Sequence, residues 1–166
     1  SEMQDRRSLF LFFNMVGEDG RQEMPAARLI RAEAGEATGT EAQRLDLNPG
    51  DPVRRLLRVR LFRQKPTIVE RVTVSDALLP GLGEGAPVPD HLFRFYEMTY
   101  GVTVVRAEES VRAVAATAEE AGILGLSEGA PLLEIDRVAY ALQGRPVEWR
   151  VSRCDTRAHR YRIQRG

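Results

Sequence analysis

The chain has 166 residues, 43% of them hydrophobic, enough apolar material to fill one domain core and too much for a chain disordered throughout. Its 24 Lys+Arg balance 24 Asp+Glu, so it lacks the cationic excess with which proteins grip a phosphate backbone. The single cysteine, Cys154, excludes an intramolecular disulfide, and His91 and His159 stand too far apart for zinc-ligand spacing; no metal or cofactor is expected, and the composition suits the cytoplasm.

Strands are predicted over 8–16, 26–33, 53–63, 67–75, 102–114, 132–142, 146–154 and 157–163 from β-branched and aromatic content. The run SLFLFFNMV is too short to span a bilayer. With Arg6 and Arg7 ahead of it, it competes as a signal-peptide core, but Asn14, Gly17, Glu18 and Asp19 stand where a small-residue cleavage site would be. The following VGEDGR reads as a turn, because it lacks the Gly-Lys-Ser/Thr of a phosphate loop.

Residues 36–60, EATGTEAQRLDLNPGDPVRRLLRVR, align without a gap to residues 115–139, AATAEEAGILGLSEGAPLLEIDRVA, at a constant spacing of 79. In each copy Thr38 or Thr117 caps a short helix, and Glu41 or Glu120 three residues on completes a capping box. Gly50 or Gly129 then makes a turn, and Pro52 or Pro131 opens a strand. Each copy passes through a Gln-containing turn, RQKP or LQGRP, into a second strand bearing Glu70 or Glu148. A helix-hairpin unit duplicated within one domain is expected, in an α+β fold with a cleft where the halves meet.

On the first hairpin, Arg58 and Arg60 share a face and Glu70 lies on the following strand. The trio fits either an anion clamp with a carboxylate accepting hydroxyl protons or a cross-strand surface ion pair. The Gly/Pro-rich stretch LLPGLGEGAPVPD, residues 78–90, reads as a loop between halves and a candidate lid. Asp90 is expected to cap a helix over HLFRFYEMTY, with Leu92, Phe93, Tyr96 and Tyr100 forming its apolar stripe and Gly101 ending it.

In PVEWRVS the parity of Val147, Trp149 and Val151 predicts a buried face carrying Trp149. Glu148, Arg150 and Ser152 then line a ligand cleft and repeat the chemistry of the first hairpin. Asp155, His159 and Tyr161 follow. A Ser/Asp/His triad is disfavoured because no G-x-S-x-G elbow surrounds Ser152, and Cys154 reads as a packed side chain.

The ordered series RVRLFRQKP, Glu70, LLPGL, FRFYEMTYGV, RAEESVRAVAATAEEAGILGL and PVEWRVSRCDTRAHRY resembles the UTRA domain. That domain is the effector-sensing half of GntR-type bacterial transcription regulators of the HutC subgroup. The resemblance implies a chorismate lyase-like antiparallel sheet flanked by helices, forming one domain over 1–166 with pseudo-repeat halves of about 1–80 and 81–166. It also implies a homodimer that binds an anionic metabolite, with no membrane partner, and DNA contact only through an N-terminal winged-helix domain for which this sequence carries no pattern. Carried over by position, ligand contacts fall on Arg58, Arg60, Glu70 and Glu148, and secondarily on Asn14 and Ser152. Where many family members close with a Tyr-Arg-Gly-Asp-Arg-Tyr-like motif, this chain has Cys154 to Tyr161 in its own pattern, so Asp155 and His159 are expected to select a different ligand. The shared fold leaves a lyase as the alternative function. Glu148→Ala and Arg60→Ala are expected to weaken effector binding with the fold intact.

Overall fold

A computed structural model describes residues 13–85 and 87–166. The two Thr-x-x-Glu boxes behave as their sequences require: Thr38 and Thr117 each accept the N–H of Glu41 or Glu120, whose carboxylates accept the threonine N–H in return. Helices α1 (Gly39–Leu45) and α3 (Ala118–Leu124) follow, and between them lies α2 (Leu92–Tyr100). Gly50 and Gly129 adopt φ of 90° and 86° in the turns that enter the next strands, a conformation glycine takes without a Cβ penalty.

Among the described residues, eight strands form two antiparallel sheets. The large sheet contains β2 (Ala26–Glu36), β3 (Pro52–Phe62), β4 (Lys65–Ser75), β5 (Arg106–Ala115), β6 (Pro131–Tyr140) and β7 (Pro146–Cys154), in the spatial order β2-β3-β4-β7-β6-β5. This order is symmetric about the β4/β7 junction, so each half is one β-α-β-β unit and the duplication becomes a pseudo-twofold sheet. The small sheet pairs β1 (Met15–Gly17) with β8 (His159–Tyr161). The α+β class with an antiparallel sheet flanked by helices is as expected. The predicted first strand, 8–16, lies mostly outside the described residues, and of its described part only Met15 and Val16 are strand, in β1.

The repeat spacing changes inside the hairpins, with consequences for the site. Gln64 and Gln143 keep the 79-residue spacing and both take positive φ, 67° and 66°. The second turn then has one residue more, so Pro66 corresponds to Pro146 at a spacing of 80. Register confirms the shift, since Glu70 faces Arg58 and Arg150 faces Arg137. Glu148 faces Ala139, as Ile68 faces Arg60. Glu70 and Glu148 are therefore not equivalent positions, contrary to the sequence expectation; the counterpart of Glu70 is Arg150.

Helices α1 and α3 cover one face of the sheet over Val53, Leu57, Val69 and Leu132. The other face packs Leu56, Val72 and Val74 under α2, through Leu92 and Tyr96, and under Leu79 and Leu82 of the 78–90 stretch. That stretch is anchored in the core. At Gly83 an added Cβ would meet the Leu56 side chain at 2.6 Å, so the described part of the loop is docked chain and not a free lid. Asp90 does not cap α2. The N-cap is His91, without a side-chain hydrogen bond, and the Asp90 carboxylate instead accepts the Ala27 N–H at 2.9 Å.

Candidate functional site

On the α2 face of the sheet, Arg58 and Arg60 of β3, Glu70 of β4, Glu148, Arg150 and Ser152 of β7 and Arg137 of β6 all project to one side, because cross-strand partners share a face. Burial inverts the parity argument: Glu148 is fully buried and Arg150 nearly so, whereas Trp149 on the opposite face is half-buried. Trp149 is held by polar contacts, its indole N–H donating to Asp136 at 2.8 Å and the Arg44 guanidinium lying 5.5 Å from its ring. The polar face can be interior because each of its carboxylates is paired with arginines, which outnumber them.

The pairing runs through two carboxylates. Glu70 Oε1 accepts from Arg60 Nη1 at 3.0 Å and from Arg150 Nη1 at 3.1 Å. Arg58 Nε lies 2.9 Å from Glu70 Oε2, an ion contact in which the N–H is not aimed at the oxygen, so both atoms lack a directed hydrogen bond. Glu148 accepts from Arg150 Nε at 2.6 Å and Nη2 at 2.9 Å, and from the Tyr96 hydroxyl at 2.5 Å. Burial alone would raise the Glu70 carboxyl, but Arg150, Arg58 and Arg60 outweigh it and hold the group well below the usual carboxylate range. Burial likewise opposes the charge on Arg150, and Glu148 and Glu70 overcome it, raising its pKa.

Two adjoining cavities open on this cluster. The outer one, about 60 Å³ and open to solvent, is lined by Arg60, Arg137, Arg150, His91, Phe93 and the first turn of α2, among others. The inner one, about 30 Å³, is lined by the same three arginines with Asn14, Glu70, Ser152, Cys154 and Tyr161. Asn14 reaches it because β1 pairs with β8, setting Met15 opposite Tyr161; Asn14 Nδ2 donates to the Tyr161 hydroxyl at 3.0 Å. That hydroxyl donates to Glu109 of β5, which also accepts from Arg137 Nε at 2.7 Å.

Of the residues singled out from sequence, Arg60, Glu70, Arg150, Ser152, Asn14 and Tyr161 line these cavities. Arg58 and Glu148 do not; they lie beneath. Arg58 is 1% exposed and is tied to the carbonyls of Pro89 and Asp90 at 3.1 and 3.0 Å. Asp155 and His159 line neither of these two cavities. Asp155 accepts both N–H groups of the Arg157 fork, and His159 stacks on Phe62, with centroids 4.3 Å apart, beside a separate cavity lined by Arg63 and Lys65. Strand β8 places His159 at that cavity and Tyr161 at the inner one, which Ser152 also lines.

Sequence reasoning missed Arg137, Glu109, Tyr96, His91 and Phe93. Arg137 was within reach, since it is the repeat partner of Arg58; the others needed the tertiary fold. Among the described residues no group of three or more His, Cys, Asp or Glu is placed to hold a metal ion, and no helix is long and apolar enough to cross a membrane.

Comparison with known proteins now bears on this geometry. Residues 20–161 match the family described as the UTRA domain. The chain belongs to the UTRA domain family. Over 127 residues it is 31% identical to the HTH-type transcriptional repressor NagR of Bacillus subtilis (strain 168), covering 75% of this chain and 51% of that protein. Over 107 residues it is 29% identical to the mannosyl-D-glycerate transport/metabolism system repressor MngR of Escherichia coli (strain K12), covering 64% and 44%. The chain thus spans about half the length of these curated relatives. The fold superposes with a TM-score of 0.83 on the ligand-binding domain of a Bordetella bronchiseptica protein of the GntR family of transcriptional regulators, at 28% identity over 93% of this chain and 97% of that one. In this UTRA domain the arginines and the α2 N-terminus border the two cavities, with the buried glutamates beside or beneath them.

Proposed function

We propose that this UTRA domain senses a small acidic metabolite in the twin cavities between β3, β4, β7 and β6 and reports its presence to an attached DNA-reading domain. On this reading the protein acts in the cytoplasm as a homodimer and performs no chemistry on its ligand. The observation that carries the proposal is that Arg60, Arg137 and Arg150 line both cavities at once. Three guanidinium groups converging on one space favour a phosphate or carboxylate, which they bind through directed pairs of N–H groups. The buried carboxylates beneath them fix their orientation before any ligand arrives, which lowers the ordering cost of binding. The first turn of α2 bears no side-chain cap and faces the outer cavity, adding the positive end of a helix dipole.

Asn14, Ser152 and Tyr161 in the inner cavity supply hydroxyl and amide partners for a neutral portion of the ligand. Mannosyl-D-glycerate, in the name of one relative, combines a carboxylate with sugar hydroxyls and is a suitable probe of that chemistry. Absence of catalysis is supported by the Cys154 thiol, which burial pushes up to about 12, and by the separation of Ser152 from His159. A ligand can shift a regulator between DNA-competent and incompetent arrangements only by binding one of them better.

The test is calorimetric titration of the chain with inorganic phosphate, sugar phosphates, mannosyl-D-glycerate and imidazole carboxylates. Saturable binding of one acid, weakened by Arg60→Gln, is expected. Pyruvate released from chorismate at an enzymatic rate would overturn the non-catalytic reading.

A further inference from the structure

The duplicated halves differ on the face of the sheet that α1 and α3 cover. Glu33, Arg55, Thr73 and Trp149 stand side by side across β2, β3, β4 and β7, because each is the register partner of the next. Their counterparts across the pseudo-twofold axis are Arg112, Glu134, Arg153 and Val69, register partners in the same order. Thr73 thus corresponds to Arg153, at the spacing of 80 that Pro66 and Pro146 set. Arg153 fills its place: Nη1 donates to Glu120 at 3.0 Å and Nη2 to Glu134 at 2.9 Å. The shorter Thr73 leaves a cavity of about 320 Å³.

This cavity has an apolar floor, to which Leu57, Val151 and Trp149 contribute, and a rim of paired charges. Arg55 donates to both oxygens of Glu41 at 2.7 and 2.8 Å, Arg71 Nη1 donates to Glu120 at 2.7 Å, and Arg31 lies 3.6 Å from Glu119. A Cβ at Gly35 would stand 2.1 Å from Arg55 Nη1, so the guanidinium lies against β2 where only glycine leaves it room. Each arginine at the rim already has a carboxylate, so none stands ready to select an anion. The polar group left over is the Thr73 hydroxyl. Thr73 is 8% exposed, lines the cavity and makes no side-chain hydrogen bond among the described residues. A buried hydroxyl without a partner is costly, and a ligand that reaches it removes that cost.

We propose that this cavity is a second small-molecule site, on the opposite face of the sheet from the arginine cavities, and that it takes a neutral aromatic molecule bearing a hydroxyl group. Leu57 and Val151 bury the ring, and Trp149 offers an aromatic surface against which rings pack offset or edge-on. The Thr73 hydroxyl, both donor and acceptor, pairs with the hydroxyl of the ligand. The volume lies within the range of small-molecule pockets. This site stands apart from the acid-sensing function proposed above and does not depend on it.

Phenol is the probe, and the site carries its own reporter. Trp149 is the only tryptophan, so the whole chain gives a single indole N–H signal in a nitrogen–proton NMR spectrum. Phenol is expected to shift that signal saturably, at one site per chain. Thr73→Val is expected to weaken phenol about fivefold, the worth of one hydrogen bond, without weakening toluene, which has no hydroxyl to lose. Val151→Phe places a ring of the protein in the cavity and is expected to abolish the shift by either compound. Circular dichroism checks that both variants are folded. A signal that phenol leaves unmoved or shifts without saturation, equal phenol affinity in wild type and Thr73→Val, or a shift retained by folded Val151→Phe would overturn the proposal.

Discussion

Arg150 and Glu148, two residues apart on β7, form a two-pronged ion pair with distances of 2.6 and 2.9 Å, while the free end of the same guanidinium reaches Glu70 on β4 at 3.1 Å. Alternate residues of a strand share a face, so the pair needs no turn of the chain to assemble. It ties the second half of the sheet to the first beneath the ligand cavities. Removing one member leaves a buried charge short of its partner. Glu148→Leu is therefore expected to cost about 3–5 kcal/mol in urea unfolding, and Glu148→Leu with Arg150→Met to cost less than the single change. This revises the sequence-based expectation that Glu148→Ala leaves the fold intact.

Tyr96 joins α2 to this pair. Its hydroxyl is fully buried, and burial, followed by the charge of Glu148, pushes its pKa well above the ordinary tyrosine value. Tyr96→Phe deletes one hydrogen bond to a carboxylate without opening a cavity, so a loss of about 1.5–3 kcal/mol is expected in denaturant titration. A loss below that range would show that the contact does not hold α2 down.

The two capping boxes offer an internal comparison. Thr38→Ala and Thr117→Ala each remove the same acceptor from the same kind of helix, and each is expected to cost about 1 kcal/mol. The helices cover different parts of the sheet, so the double variant should be additive to within about 0.5 kcal/mol. Chemical unfolding of the four proteins in the cycle measures this.

Acid should unfold the domain. Glu70 is lowered in the folded state because Arg150, Arg58 and Arg60 outweigh its burial, and Glu41 is lowered chiefly by its hydrogen bond to Arg55. A depressed carboxylate contributes stability that is complete above its unfolded pKa, about 4.3 for glutamate, and is lost as pH falls toward the folded value. The thermal midpoint is expected to vary little with these groups above about pH 5 and to drop steadily below it. A midpoint that rises on acidification between pH 5 and pH 3 would contradict the buried network.

Much of the fold was legible because local signals agreed with one another. The Thr-x-x-Glu boxes, the glycine turns and the proline strand openings recur at one spacing, and each maps to the element it specifies. The site was legible in composition but not in geometry. Parity correctly placed Glu148, Arg150 and Ser152 on one face, yet hydrophobicity picked the wrong face as the more deeply buried, since a cluster whose carboxylates are each paired with arginines can be interior. The one-residue longer second turn moved Glu148 out of equivalence with Glu70, a shift that an ungapped alignment ending at residue 139 could not register. Nothing in RCDTRAHRY reveals that Asp155 folds back onto Arg157.

The central claim is that an acidic ligand sits among Arg60, Arg137 and Arg150. Native mass spectrometry of the gently ionised whole chain, wild type beside Arg137→Gln, with the same panel of phosphates and carboxylates, tests it most directly. The account predicts one acid retained per chain by wild type, released on activation, and lost from the folded Arg137→Gln protein. Equal retention by both proteins, or retention of neutral sugars alone, would contradict it.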